Sequence, residues 1–428
     1  MKRLLFISHC VPYPPDKGER IRAYHELLAL GRDFRVTLAC LSSRRDDAAV
    51  VGRLAACCEE VLYARVGGRR GLLRGAIAML SGRSVTEGFF GNARLKRWLK
   101  DSRRRTFDLV FGYCSAVLPY VLAAPAGARV MDLVDMDSLK WRGYAERSGR
   151  FRAWGYRREA RGVAALERRA AASCDAVICI SQAEAREGIG HAEKLHVVPN
   201  GVDTRYFSPG PAAAGAPGSL VFVGSMSYRP NVEAVCWFAA NVWPVLKARL
   251  HSLRFQIVGR DPAPAVRRLA ALPGVAVTGS VRDVRPYLSS ACVAIAPLQM
   301  TRGVPNKVLE AMAMARPVIA SGAALEGLDV SEGDGVLRAE TPAQWQRTLL
   351  NLLSDPDRRA RLGRKARRLV LRKYDWAACM SPLRSLCRRV VQRSVSPAAP
   401  AVRRTATPPN LRARGSVATL ANPQGGQA

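Results

Sequence analysis

The sequence predicts an α/β protein of two domains, each a parallel sheet flanked by helices. Three observations carry that prediction. Apolar runs of strand length alternate with helical segments along the chain, the pattern of repeated β–α–β units. The 428 residues, 48% of them hydrophobic, suffice for two domains of ordinary size with real cores. The stretch 297–321, PLQMTRGVPNKVLEAMAMARPVIAS, reads as loop, helix and strand directly after a buried strand at 292–296.

In parallel sheets of this kind, ligands sit beyond the strand C-termini. A helix starting near Asn306 offers free backbone N–H groups and a partial positive charge there, which suits a phosphate, and Lys307 adds a full charge. Glu310 follows among Val308, Leu309, Ala311 and Met312. A carboxylate in apolar company needs hydrogen-bond donors, and sugar hydroxyls would serve. The plainer reading is that Asn306 caps the helix and Glu310 stabilises its first turn.

The elements before that stretch follow in order. Residues 3–8, RLLFIS, form the first strand. A loop with a Pro cluster and Gly18 leads to a helix at about 19–30 and a strand at 35–41. The opening lacks G-x-G-x-x-G, which argues against a nicotinamide cofactor. Residues 46–60 read as helix and 61–64 as strand. Residues 69–105 are strongly basic and read as one or two amphipathic helices with Phe89, Phe90 and Trp98. Residues 109–128 carry no charge and could span a bilayer by length, but Gly112, Pro119, Pro125 and Gly127 favour strand, short helix and turn. Strand 130–134 follows, with Asp135, Asp137, Ser138 and Lys140 at its C-terminal end. The two aspartates either act there or cap the next helix. Residues 147–173 form a basic helix carrying Phe151, Trp154 and Tyr156, and a strand at 175–180 leads on to LHVVPNGVD.

Residues 210–218, GPAAAGAPG, form a linker. Strands at 220–223, 255–258 and 275–278 follow, with a helix opening near Asn231. After the 292–321 unit come helices at about 342–353 and 355–373, and a last helix to about residue 393. Residues 394–428, rich in Pro, Ala, Ser and Gly, predict disorder.

The formal charge of +33 reflects either a solvated arginine-rich surface or an anionic partner: lipid head groups, phosphorylated substrates or nucleic acid. Dispersed arginines and the absence of any recognisable RNA or DNA module argue against nucleic acid. The 11 scattered cysteines contain no C-x2-C pair, which argues against a zinc site and suggests reduced thiols in a cytosol. No convincing signal peptide is present, since Lys2 and Arg3 precede only four apolar residues.

PYPPDKGERIR, VPNGVD, FVGS and NKVLEAMA, in that order along residues 1–390, resemble the retaining glycosyltransferases of family 4, which have the two-domain GT-B fold. With V-D-M-D-S-x-K-W added, the pattern looks most like the sugar transferase associated with exosortase/PEP-CTERM systems. The resemblance implies an acceptor-binding Rossmann-like domain at 1–205 and a nucleotide-sugar-binding one at 206–375. A helix at 376–393 would cross back to the first domain.

It also implies site residues. Glu310 would bind the donor ribose, although Arg302 occupies the place of a second glutamate eight positions earlier. Gly18 would let the backbone approach the donor diphosphate. Ser225 and Pro230 replace the family's diphosphate-holding arginine and lysine, leaving Arg229 or Lys307 as substitutes. Val281 and Arg282 would meet the nucleobase. Gly224, Gly259, Gly303 and Asn306 complete the substrate-binding set. Asp135 or Asp137 would take the place of a first-domain histidine near the transferred sugar and, with Lys307 and Glu310, make the catalytic set.

The implied activity is transfer of a sugar from a nucleotide-sugar to a lipid-linked or growing saccharide. No metal or cofactor is expected, the D-x-D of metal-dependent GT-A enzymes being discounted. Two alternatives are a GT-B-fold epimerase of nucleotide-sugars and a non-enzymatic binder of nucleic acid or an anionic surface. The protein is expected in the cytoplasm, peripheral on the inner face of the cell membrane. The basic aromatic segments 69–105 and 147–170 would meet an anionic surface there.

Overall fold

The computed structural model describes residues 1–42, 47–101, 106–187, 190–210, 218–300, 304–331 and 333–395. The first sheet contains β1 (Lys2–Ser8), β2 (Phe34–Ser42), β3 (Glu60–Arg65), β4 (Phe107–Tyr113), β5 (Ala126–Asp132), β6 (Ala176–Cys179) and β7 (Leu195–Val197), in the order β3-β2-β1-β4-β5-β6-β7. The second contains β8 (Ser219–Val223), β9 (Arg254–Val258), β10 (Val275–Val277), β11 (Val293–Ala296), β12 (Val318–Ala320) and β13 (Val336–Arg338), in the order β10-β9-β8-β11-β12-β13. Every pairing is parallel. This is the GT-B architecture of two Rossmann-like sheets that the sequence predicts. Helices cover both faces of each sheet, so central strands such as β1 and β8 are apolar at successive positions rather than at alternate ones.

Several boundaries differ from expectation. The helix after β2 ends at Leu54 rather than near 60, because the Glu59 N–H already donates to the Val36 carbonyl and starts β3 alongside β2. The basic segment forms three helices, Gly68–Leu80, Val85–Phe89 and Ala93–Asp101. Ser84 caps the middle one, accepting from the Glu87 N–H. Strand β13 has no counterpart in the sequence reading, since three residues ending in a charged Arg338 carry little signal. The uncharged stretch resolves into β4, a turn, the helix Leu118–Ala123 and β5. No helix among the described residues is long and apolar enough to cross a membrane. Part of the expected linker (211–217) and nearly all of the expected disordered tail (396–428) lie outside the described residues.

Aromatics expected to anchor at a membrane divide into two groups. Phe90 and Trp98 are half-buried against the first-domain core, and Phe89 closes on Gly71. Only Phe151 and Trp154 are exposed.

The chain crosses between the sheets twice, side by side. Val202 donates to the Tyr374 carbonyl and bridges to Asp375. A Cβ on Gly201 would lie 2.7 Å from the Trp376 ring, so glycine is required where the two crossings touch. The helix Trp376–Val395 then lies on the first domain. Trp376 stacks on His25, Arg384 forks onto Asp33, and Met380, Leu383, Leu386, Cys387 and Val391 join the core beneath β1 and β4. Buried Arg22 ties this region together, donating to Asp132 at 2.6 and 2.9 Å and to Asn200 at 3.1 Å, with Glu26 at 2.9 Å.

Candidate active site

The C-terminal ends of the two sheets face one another. The loop after β1 meets the second sheet directly: Arg260, after β9, pairs with Asp16 at 3.5 Å, and a Cβ on Gly18 would lie 3.7 Å from Asn306 Nδ2. The helix Asp137–Glu146, after β5, meets the loop after β11, where Arg147 donates to the Gln299 carbonyl at 3.1 Å.

The second-domain wall is built around Lys307. The helix Asn306–Ala313 starts after Pro305 and points its N-terminus at this cleft. Lys307 Nζ donates to Asn231 Oδ1 at 2.6 Å, and Asn231 Nδ2 donates to the Ser225 carbonyl at 2.8 Å. Lys307 also lies over the Phe222 ring and beside Gly224. Burial pushes the Lys307 ammonium down to about 8, against the pull of Glu310. Burial lifts the Glu310 carboxyl to about 7, against the pull of Lys307. Glu310 makes no hydrogen bond within the described residues, and Asn306 Oδ1 is buried without a partner. A wall with unfilled acceptors beside a lysine and a helix N-terminus is arranged for a ligand bearing both hydroxyls and negative charge.

Two loops shape the same wall. The Gly224 N–H donates to the Val258 carbonyl, and the Met226 N–H to that of Arg260. These bonds bring Gly259 so close that a Cβ would sit 1.7 Å from the Gly224 carbonyl oxygen.

The first-domain wall is acidic with interspersed cations. Asp132 ends β5, and Val134 follows with φ of +66°, a strained value for a β-branched residue. The Val134 N–H donates to Asp132 Oδ1 at 2.6 Å. Asp135 is held up from the usual carboxylate range by burial and by Asp137, and Glu184 by burial and by Asp135. Lys140 donates to Asp137 at 3.0 Å. His9, at the end of β1, stacks on Tyr113 and meets Phe90 edge-on, and its buried Nδ1 has no partner. Burial opposes a charge on His9, but Cys114, Glu19 and Asp137 outweigh it and raise the imidazole to about 9.

Solved structures with this fold include sucrose-phosphate synthase from Thermosynechococcus elongatus. It superposes at a TM-score of 0.68 with 17% identity, over 91% of this chain and all of that one. HepE from Anabaena, solved with UDP-glucose, superposes at 0.62 with 14% identity, over 91% of this chain and all of that one. In sequence, residues 22–206 match the family described as Glycosyltransferase Family 4, and residues 217–355 match Glycosyl transferases group 1. The chain thus carries a Glycosyltransferase Family 4 segment followed by a Glycosyl transferases group 1 segment. Among curated proteins, the D-inositol 3-phosphate glycosyltransferase of Kineococcus radiotolerans is 27% identical over 262 residues, 53% of this chain and 60% of that relative. The match therefore spans less than two thirds of that relative's length.

The fold brings most of the expected residues to the cleft. Gly18, Gly224, Gly259, Asn306, Lys307 and Glu310 gather there with Asp135 and Asp137. Val281 and Arg282 form the loop after β10, at the edge of the second sheet. Gly303 lies outside the described residues, as does Arg302. Arg229 is turned aside: it pairs with Glu233 at 2.6 Å and lies over Tyr144 of the opposite domain. Neither aspartate caps the next helix through its side chain, since Met136 holds the cap position. Asn306 is likewise the first helical residue, after Pro305 at the cap.

Two cleft residues were missed. Asn231 has its signal in its place, at the helix start behind the Gly224 loop. His9 directly follows the first strand, so its position at a strand C-terminus was visible in RLLFISH.

Proposed function

We propose that the transferase moves a sugar from a nucleotide-sugar donor to a lipid-linked or growing saccharide acceptor, with retention and without a metal, in exopolysaccharide assembly. The carrying observation is the wall of Lys307 with the unfilled acceptors of Glu310 and Asn306, facing Asp135, Asp137 and His9. HepE, which shares the fold, was solved with UDP-glucose, and this supports the donor class. In this reading Lys307 and the helix N-terminus hold the diphosphate beside Gly224 and Gly18, Glu310 accepts from ribose hydroxyls, and the loop of Val281 and Arg282 meets the base. The sugar then lies against the first-domain wall. The acceptor oxygen bonds to the anomeric carbon on the side from which the phosphate oxygen leaves, and that phosphate takes the acceptor's proton. Cations already in place stabilise the departing charge without reorganisation.

The exopolysaccharide role and the exosortase/PEP-CTERM association rest on the V-D-M-D-S-x-K-W segment around Asp135. A lipid-linked acceptor places the protein in the cytoplasm, peripheral on the inner membrane face, with its first domain toward the lipid. The exposed Phe151 and Trp154 amid arginines support that placement.

The test is a thermal-shift screen against UDP-, GDP-, ADP- and CDP-sugars, followed by transfer assays with the donor that binds. One donor should raise the midpoint, and free nucleotide should appear only when acceptor is present. Nucleotide-sugar isomerised without acceptor would instead identify an epimerase. Transfer should survive EDTA; a loss restored by added metal would assign Asp135 and Asp137 to a cation.

A further inference from the structure

A second charged recess lies in the first domain. The helices Gly68–Leu80, Val85–Phe89, Ala93–Asp101 and Leu118–Ala123 surround it. Its volume is about 160 Å³, with Arg74, Arg83, Glu87, Lys96, Ile77 and Tyr120 in its lining. Sites for whole ligands of drug size run to roughly 300–1,000 Å³, so a nucleotide-sugar does not fit, whereas a single phosphate group does. Three cations face one carboxylate, and that carboxylate is taken, because Arg83 pairs with Glu87 at 3.3 Å. Arg74 Nε is buried and has no acceptor among the described residues. A guanidinium N–H left in this state calls for an anion. The floor is fixed independently of any ligand: the Tyr120 hydroxyl donates to the Phe90 carbonyl at 2.8 Å and accepts from the Asn92 N–H at 2.6 Å.

Ile77 of the lining is exposed, and so are three leucines of the helix that carries it. Leu72 is 64% exposed, Leu73 63%, Ile77 52% and Leu80 85%. The helix that carries them is tied to the neighbouring basic helix Arg150–Ser173, where Arg158 donates to the Met79 carbonyl at 3.0 Å. On that second helix Phe151 is 95% exposed and Trp154 60%. A cationic recess flanked by helices bearing exposed leucines and aromatics complements a molecule with a phosphate at one end and hydrocarbon at the other. The recess also adjoins the cleft. Phe90, whose carbonyl braces its floor, meets His9 edge-on with ring centroids 5.7 Å apart.

We propose that this recess binds the phosphate of a lipid phosphate. Arg74 and Lys96 hold the phosphate oxygens, and Leu72, Leu73, Ile77 and Leu80 enter the hydrocarbon of the membrane. The assignment rests on the lipid-linked acceptor of the proposed function and deepens it. An acceptor anchored here projects its sugar-accepting end past Phe90 toward His9 and the donor.

The test uses the full chain with sedimenting phosphatidylcholine vesicles that contain either phosphatidic acid or phosphatidylserine, matched in surface charge. The wild type should bind the phosphatidic acid vesicles about tenfold more tightly, the effect of one charged hydrogen bond. Arg74→Gln and, separately, Lys96→Gln should each remove that preference. Thermal unfolding and the donor-induced shift should stay at the wild-type value in both variants, which separates loss of the recess from loss of the fold. Binding that follows surface charge alone, or a preference that survives both substitutions, overturns the assignment. So does inorganic phosphate binding that needs Arg74 when no vesicle is bound, since the recess would then take free phosphate. Failure of every donor to bind the wild type would sink the proposed transfer reaction while leaving the vesicle result standing.

Discussion

Glu310 and Lys307 are displaced toward each other on the pH scale, and the displacement has consequences of opposite sign. Glu310 titrates near 7 in the fold instead of 4.5, so the stability it contributes is present below 4.5 and is lost as pH rises toward 7. Lys307 titrates near 8 instead of 10.5, so its contribution is present above 10.5 and is lost as pH falls through 8. A donor requires the opposite forms: a carboxylate to accept from ribose and an ammonium to meet diphosphate. Donor affinity, measured by titration calorimetry across pH, should therefore peak between about 7 and 8 and fall on both sides. Glu310→Gln should abolish the acid limb and weaken binding by about 1–3 kcal/mol, the range for a hydrogen bond to a charged group left unmade. Unchanged affinity in the folded variant would remove Glu310 from the donor site. At this scale the sequence was readable where a motif set the residue, as in NKVLE. Asn231 was visible only as a residue at a helix start, because its role depends on Lys307, 76 positions away.

Between residue and molecule, the loops after β8 and β9 behave as one element, because the two backbone bonds between them leave no space for a side chain at Gly259. Gly259→Ala should push the Gly224 carbonyl aside, lowering stability by about 1–3 kcal/mol as overpacking does. Donor binding should fall with it, since Gly224 borders Lys307. Denaturant unfolding and calorimetry on that variant check both effects, and wild-type values in both would show that the loop yields without cost. Most elements could be read ahead of the structure, because buried parallel strands are continuous apolar runs and the longer helices announce their ends. Thr341 and Gln344 form a capping box, for example, and Asp355 caps the next helix. The three short helices of 68–101 could not be counted in advance. Glycines at 75, 82 and 88 interrupt any helical period: Gly75 and Gly88 are closely packed, a Cβ on Gly88 meeting the Arg74 carbonyl at 2.4 Å, whereas Gly82 turns the chain with a φ of +85°.

For the whole molecule, the order of motifs was enough to predict two sheets, but not how their ends approach. That approach depends on pairs such as Arg260 with Asp16, which no local pattern reveals. The paired crossings concentrate the connection at one place, where Trp376 touches both Gly201 and His25. Trp376→Ala should cost about 3–5 kcal/mol, as expected for a buried tryptophan. The loss should appear as a first-domain transition at lower denaturant, separate from that of the second domain. A single transition at the wild-type midpoint would show that the helix is not held through this ring.

The same helix bears on how the protein is made. The core of the first domain includes Met380, Leu383, Leu386, Cys387 and Val391, which the ribosome reaches only after the entire second domain. Roughly 180 residues separate Val198 from Trp376, so at about 5–20 residues per second the nascent first domain waits about 10–40 s for its closing helix. During that interval the apolar surface under β1 and β4 stays open, while the second domain holds its own core from β8 to the helix Pro356–Lys373. The amino-terminal half is therefore synthesised first and finished last, which makes it the part of the nascent chain that most needs a chaperone.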